Sequence, residues 1–86
     1  MARTVLQDIE DRLTLLLGRA TGLLPDGQLR DMGNLVQAGE PGIALENLCT
    51  QLYEYDVSVP AEVSTELETL AAAMGLRISP PFKVTP

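Results

Sequence analysis

Glycine- and proline-centred breaks recur along this chain at 18–27, 39–42, 56–60 and 75, and every stretch between them carries apolar residues at helical spacing. Segments that short, joined by corners that tight, leave little choice but helices laid side by side. Val5, Leu6, Ile9, Leu13, Leu16 and Leu17 predict a first amphipathic helix over 4–18. Leu24-Pro25-Asp26-Gly27 reads as the turn that opens a second helix over 25–38, with Leu29, Met32, Leu35 and Val36 as its apolar stripe. Gly39 is placed to end that helix in the left-handed conformation. Pro41 suits the first turn of a third helix over 41–55, and Glu40 before it favours the positive helix start.

The third helix turns Leu45, Leu48, Cys49 and Leu52 to one face, with Tyr55 beside that stripe as a partly buried residue. Val59 precedes a proline and is pushed out of helical geometry, so 56–59 is expected as an extended connector. Pro60 then opens a fourth helix over 60–74, lined by Val63, Leu67, Leu70, Ala71 and Met74 and ended by Gly75. No alternation of period two persists. The expected class is therefore all-α: a compact four-helix bundle over residues 1–76, followed by a proline-rich extended tail over 77–86. That tail, with Pro80, Pro81 and Pro86, is expected to add no element, while Phe82 folds back over the core.

Charge is distributed unevenly. The 86 residues carry a formal net charge of −6, yet from Asp31 to Leu76 there are eight acids and no Lys or Arg: Asp31, Glu40, Glu46, Glu54, Asp56, Glu62, Glu66 and Glu68. Asp8 and Asp26 differ, since each has an arginine four residues on (Arg12 and Arg30) in the favourable acid-first order. The first half is thus expected to supply its own counter-charges, and the second half to take them from another molecule. A one-signed acidic field repels nucleic acid and anionic lipid and attracts a basic partner. Neither nucleic acid nor membrane is an expected partner. No apolar run approaches the ~20 residues needed to span a bilayer, and Asp8 and Glu10 come too early for a signal peptide. A cytoplasmic protein is the expectation.

The chain has no histidine and one cysteine. That removes the usual zinc sites, Cys–His and Ser–His nucleophile pairs, and histidine acid–base chemistry. No enzyme activity, no cofactor and no metal site is expected. Cys49 reads as a small core hydrophobe, because burial and nearby acids both raise a thiol pKa. The Gly39-Glu40-Pro41-Gly42 turn reads as a structural corner, since Glu40 and Glu46 would repel a phosphate.

Outward faces carry the candidate site. On a helical wheel Glu46, Thr50 and Tyr53 lie together with Glu54 beside them, and on the fourth helix Glu62 and Glu66 share one flank with Glu68 on the other. A tyrosine among carboxylates suits recognition: the ring supplies rigid contact area and the acids supply sign. The expected interface is Glu46, Thr50, Tyr53, Glu54, Asp56, Glu62 and Glu66.

The run from Gly39 to Glu54 fits the pattern GE-x-G-x-A-x-x-x-L-C-x-x-L-x-E, and a last helix ends at Met74-Gly75-Leu76. In this the chain resembles the MafI-type immunity proteins of bacterial polymorphic-toxin and contact-dependent inhibition systems, over roughly residues 38 to 76. The resemblance implies a small protein that binds and blocks a cognate secreted or contact-delivered toxin domain inside the producing cell. Toxins of such systems are often nucleases with basic clefts, which an acidic face would suit. Blocking at the cleft and blocking beside it both remain open, and neither requires a homo-oligomer. Two other functions compete. One is a helical adaptor or subunit that self-associates through Leu15, Leu24 or other partly exposed apolar residues. The other is an acyl-carrier-like protein with its arm on Ser58 or Ser64, although neither serine sits in the Asp-Ser-Leu motif of that family.

Overall fold

The computed structural model describes residues 4–77 and 82–85. Four helices dominate it: α1 (Val5–Arg19), α2 (Asp26–Gln37), α3 (Pro41–Glu54) and α4 (Ala61–Ala73). A capping box starts α1, where the Gln7 amide donates to the Thr4 hydroxyl at 3.1 Å and the Thr4 amide to Gln7 Oε1 at 3.0 Å. Pro41 occupies the first turn of α3, as its fixed φ favours.

Three helices end in the same way. After α2, the Glu40 amide donates to the Leu35 carbonyl and the Gly39 amide to the Val36 carbonyl. After α4, Leu76 donates to Ala71 and Gly75 to Ala72. Gly39 (φ 82°) and Gly75 (φ 70°) take the left-handed position this closure demands. After α3 the pattern repeats through Val57 to Leu52 and Asp56 to Tyr53, but the left-handed residue is Asp56, at φ 53°. Aspartate tolerates that conformation better than most side chains.

The core is one cluster. Leu13 and Leu16 of α1, Met32 of α2, Leu45, Leu48 and Leu52 of α3, Val59, and Leu67 and Leu70 of α4 are all fully buried. Helix α1 packs on both α2 and α4, and α2 packs on α3, while α3 and α4 touch more sparingly. Phe82 folds back into this core, as expected from its position beyond the prolines.

Several expectations need correction. The chain is mostly helical but not purely so: Ser58–Pro60 (β1) and Lys83–Thr85 (β2) form a two-stranded parallel sheet, in register Ser58 to Lys83, Val59 to Val84 and Pro60 to Thr85. Residues of the tail therefore do add an element. Three residues are too few to show a period of two, and a parallel partner must arrive by a crossover, here through α4. Pro60 both closes β1 and stands as the N-cap of α4, so it opens that helix while it pairs with Thr85. Val5 and Leu6 are exposed, because Ile9 is the first residue of α1 to reach the core. Leu24 is buried, so it is not available for self-association. Tyr55 is exposed, since it follows α3 as its cap and leaves the buried stripe at Leu52. No described helix is long and apolar enough to cross a membrane.

Candidate protein-binding face

Burial of Ala44, Leu45, Leu48, Cys49 and Leu52 fixes the rotation of α3. Its far side must then carry Ile43, Glu46, Asn47, Thr50, Tyr53 and Glu54, all of which are exposed. A hydrogen bond of 3.0 Å from Gln51 Nε2 to Gln28 Oε1 ties the α2-facing flank of this helix to its neighbour. The face is thus presented by a helix held along its length. Glu46 and Glu54 have no ion-pair partner among the described residues. Tyr53 is 57 % exposed and Ile43 47 %. Ile43 lies outside the expected interface set, but its spacing of three from Glu46 and seven from Thr50 places it on the same face.

The other three expected interface residues stand differently. Asp56 lies just past α3 and is bonded by Lys83, whose Nζ sits 3.0 Å from Oδ1 and 3.2 Å from Oδ2. Glu62 is exposed in the first turn of α4. Glu66 is half-buried and accepts from Arg12 of α1, with Nη2 at 2.9 Å and Nε at 3.1 Å on the same oxygen. Arg12 also lies 3.9 Å from Asp8. The structure gathers Glu46, Thr50, Tyr53 and Glu54 on one face, but turns Glu66 toward α1.

This overturns part of the charge expectation. Two acids of the cation-free stretch take their counter-charges from within the chain, from Arg12 before it and Lys83 after it. Conversely, Asp26 and Arg30 form no ion pair among the described residues despite their helical spacing. Side-chain entropy at two exposed positions outweighs a weak Coulomb gain in water.

Cys49 is buried on the inner side of α3, and its thiol is pushed up to about 11, chiefly by burial and further by the Glu46 carboxylate. A thiol held neutral at pH 7 is a poor nucleophile and a poor metal ligand. Among the described residues no group of Cys, Asp and Glu is placed to hold a metal ion. Ser64 is buried within α4 and Ser58 lies in β1, so neither opens a helix as a carrier arm's attachment serine does.

No family model, no curated protein and no solved structure matches this chain.

Proposed function

We propose that this protein is an immunity-type inhibitor, which uses the outward face of α3 to bind a toxin domain with a basic surface in the cytoplasm of the producing cell. The observation that carries the reading is the composition of that face. Glu46 and Glu54 are exposed and have no ion-pair partner among the described residues, and Tyr53 and Ile43 expose apolar area beside them. Acids alone would serve solubility. Acids flanking an exposed aromatic ring and an aliphatic side chain suit a docking surface, in which a desolvated anchor supplies affinity and the surrounding charge supplies sign and encounter rate. The resemblance of residues 38–76 to MafI-type immunity proteins points the same way.

Glu62 extends the field as a peripheral charge in this reading. Glu66 and Asp56, already neutralised by Arg12 and Lys83, contribute less to it. The four helices serve as a bundle-like scaffold, and the protein has no catalytic role.

The test begins with the coding region beside this gene. If it encodes a large secreted protein, its C-terminal domain is co-expressed with this chain and cell survival is scored. Binding kinetics then follow at two salt concentrations. Glu62→Lys should mainly slow association, because exposed charges act over a Debye length of about 8 Å at physiological ionic strength. Tyr53→Ala and Glu54→Lys should mainly speed dissociation. Glu10→Lys on α1 is the control. If Glu10→Lys weakened binding more than Glu54→Lys, the interface would lie on α1 and the proposed face would be wrong.

A further inference from the structure

A second surface, on the opposite side of the charge ledger, lies along α1. Asp8, Arg12, Leu15 and Arg19 follow one another at spacings of four, three and four, which places them on one flank of the helix. Arg12, Leu15, Leu16, Arg19 and Glu66 line a hollow of about 120 Å³ between α1 and α4. Leu15 is 69 % exposed, more than any large apolar side chain of α2, α3 or α4. Among the described residues the Arg19 side chain has no ion pair or hydrogen bond, and the Asp8 carboxylate has only Arg12, at the long distance of 3.9 Å.

The sequence of these residues is self-complementary. Asp8 and Arg19 bear opposite charges at the two ends of the flank, about 16 Å apart along the axis at 1.5 Å per residue. Turned by 180° and laid antiparallel, a second α1 sets its Arg19 against Asp8 and its Asp8 against Arg19. The same register sets Leu15 of each copy against the aliphatic stem of Arg12 in the other. The Arg12 head stays on Glu66, so its stem is held in place to receive the leucine. One register therefore covers both exposed leucines and pairs both loose charges. Such a two-fold contact closes on itself, with the same patch used on both sides.

We propose that this flank of α1 is the surface by which two copies of the chain associate, antiparallel about a two-fold axis, leaving the α3 face free. The inference is independent of the toxin-binding reading, because it uses none of the residues of that face.

Sedimentation velocity and light scattering from micromolar to millimolar protein provide the test, with circular dichroism on each variant as the check on folding. The wild-type mass should rise with concentration from 9.3 kDa toward twice that value. Leu15→Glu should hold the mass at that of one chain. Asp8→Arg and Arg19→Asp should each do the same, and the double variant Asp8→Arg with Arg19→Asp should recover the dimer. Tyr53→Ala should dimerise like the wild type. A wild-type protein that stays at one chain's mass throughout would overturn the proposal. So would a dimer that survives Leu15→Glu, which would place the contact elsewhere. Failure of the double variant to recover what each single change lost would refute the antiparallel register.

Discussion

Phe82→Ala should release the C-terminal strand, and the size of the effect follows from where the ring sits. Phe82 is 5 % exposed and belongs to the main core, while the three residues after it, which form β2, are exposed. Beyond the ring, β2 pairs with β1, touches α4, and carries one exposed ion pair among the described residues, Lys83 with Asp56. Exposed pairs contribute between nothing and about 1 kcal/mol. Ordering each backbone residue costs roughly 1–2 kcal/mol. Without the ring, the pairing and the ion pair cannot offset that ordering cost, so the segment detaches. A phenylalanine truncated within an interlocked core costs about 3–5 kcal/mol. Here the chain can let the whole strap go, which limits the loss to what the strap contributes. Burying such a side chain is worth about 1.5–3 kcal/mol, and the ordering cost recovered when the strap is released subtracts from it, so we expect a loss of about 1–3 kcal/mol and a fall in Tm of roughly 4–24 °C for a domain of this size. Urea unfolding followed by circular dichroism measures the first, and hydrogen exchange at 83–85 should lose its protection in the same variant. Deleting residues 82–86 should cost the same as Phe82→Ala. A loss below about 0.5 kcal/mol, typical of surface positions, would refute the reasoning, as would a deletion that costs far more than the single substitution.

Leu48→Ala and Leu67→Ala, both at fully buried positions, should each cost about 2–5 kcal/mol in urea unfolding. Glu66→Gln should cost no more than about 1 kcal/mol and lose most of that difference in high salt, because the Arg12 pair is partly exposed. Stability should fall as pH rises from about 9 toward 11 by an amount that Cys49→Ala removes. The folded state holds the thiol proton more tightly than the unfolded chain does, so the benefit is complete below the ordinary thiol pKa and is lost as pH climbs through the raised one. Thiol-reagent labelling of the native protein should accordingly be slow at pH 7 and become fast only in urea.

What was legible in the sequence was local. Gly39 and Gly75 signal helix ends because their left-handed φ is costly for other residues, and Pro41 signals a start because it fits only there. Leu45, Leu48 and Leu52 set the phase of α3, and with it the face bearing Glu46, Thr50, Tyr53 and Glu54. What stayed hidden depends on separation along the chain. Asp56 ends α3 as the glycines end α2 and α4, but aspartate is not specific enough a signal to show it. The β1–β2 pairing joins residues 25 apart in register, and its strands are too short for a pattern. Arg12 and Glu66 are 54 residues apart, and nothing near either one announces the other.

The hidden pairs change what the charge distribution means. Counting acids within a window assumes that counter-charges come from nearby in sequence, whereas folding brings them from both ends of the chain. Glu66 and Asp56 thereby become structural residues with local work to do, and the case for a partner rests on fewer acids. The unpaired carboxylates of α3 cost little in water, so their exposure alone asks for no explanation. Tyr53 and Ile43 are different, because apolar area left beside them is the quantity a partner would remove from water. A binding face is therefore better argued from these two side chains than from the sum of the charges. Tyr53→Ala should weaken the complex at every salt concentration, whereas the loss from Glu46→Gln should shrink as salt rises, because screening removes only the electrostatic part. Equal salt dependence for both variants would return the argument to charge alone.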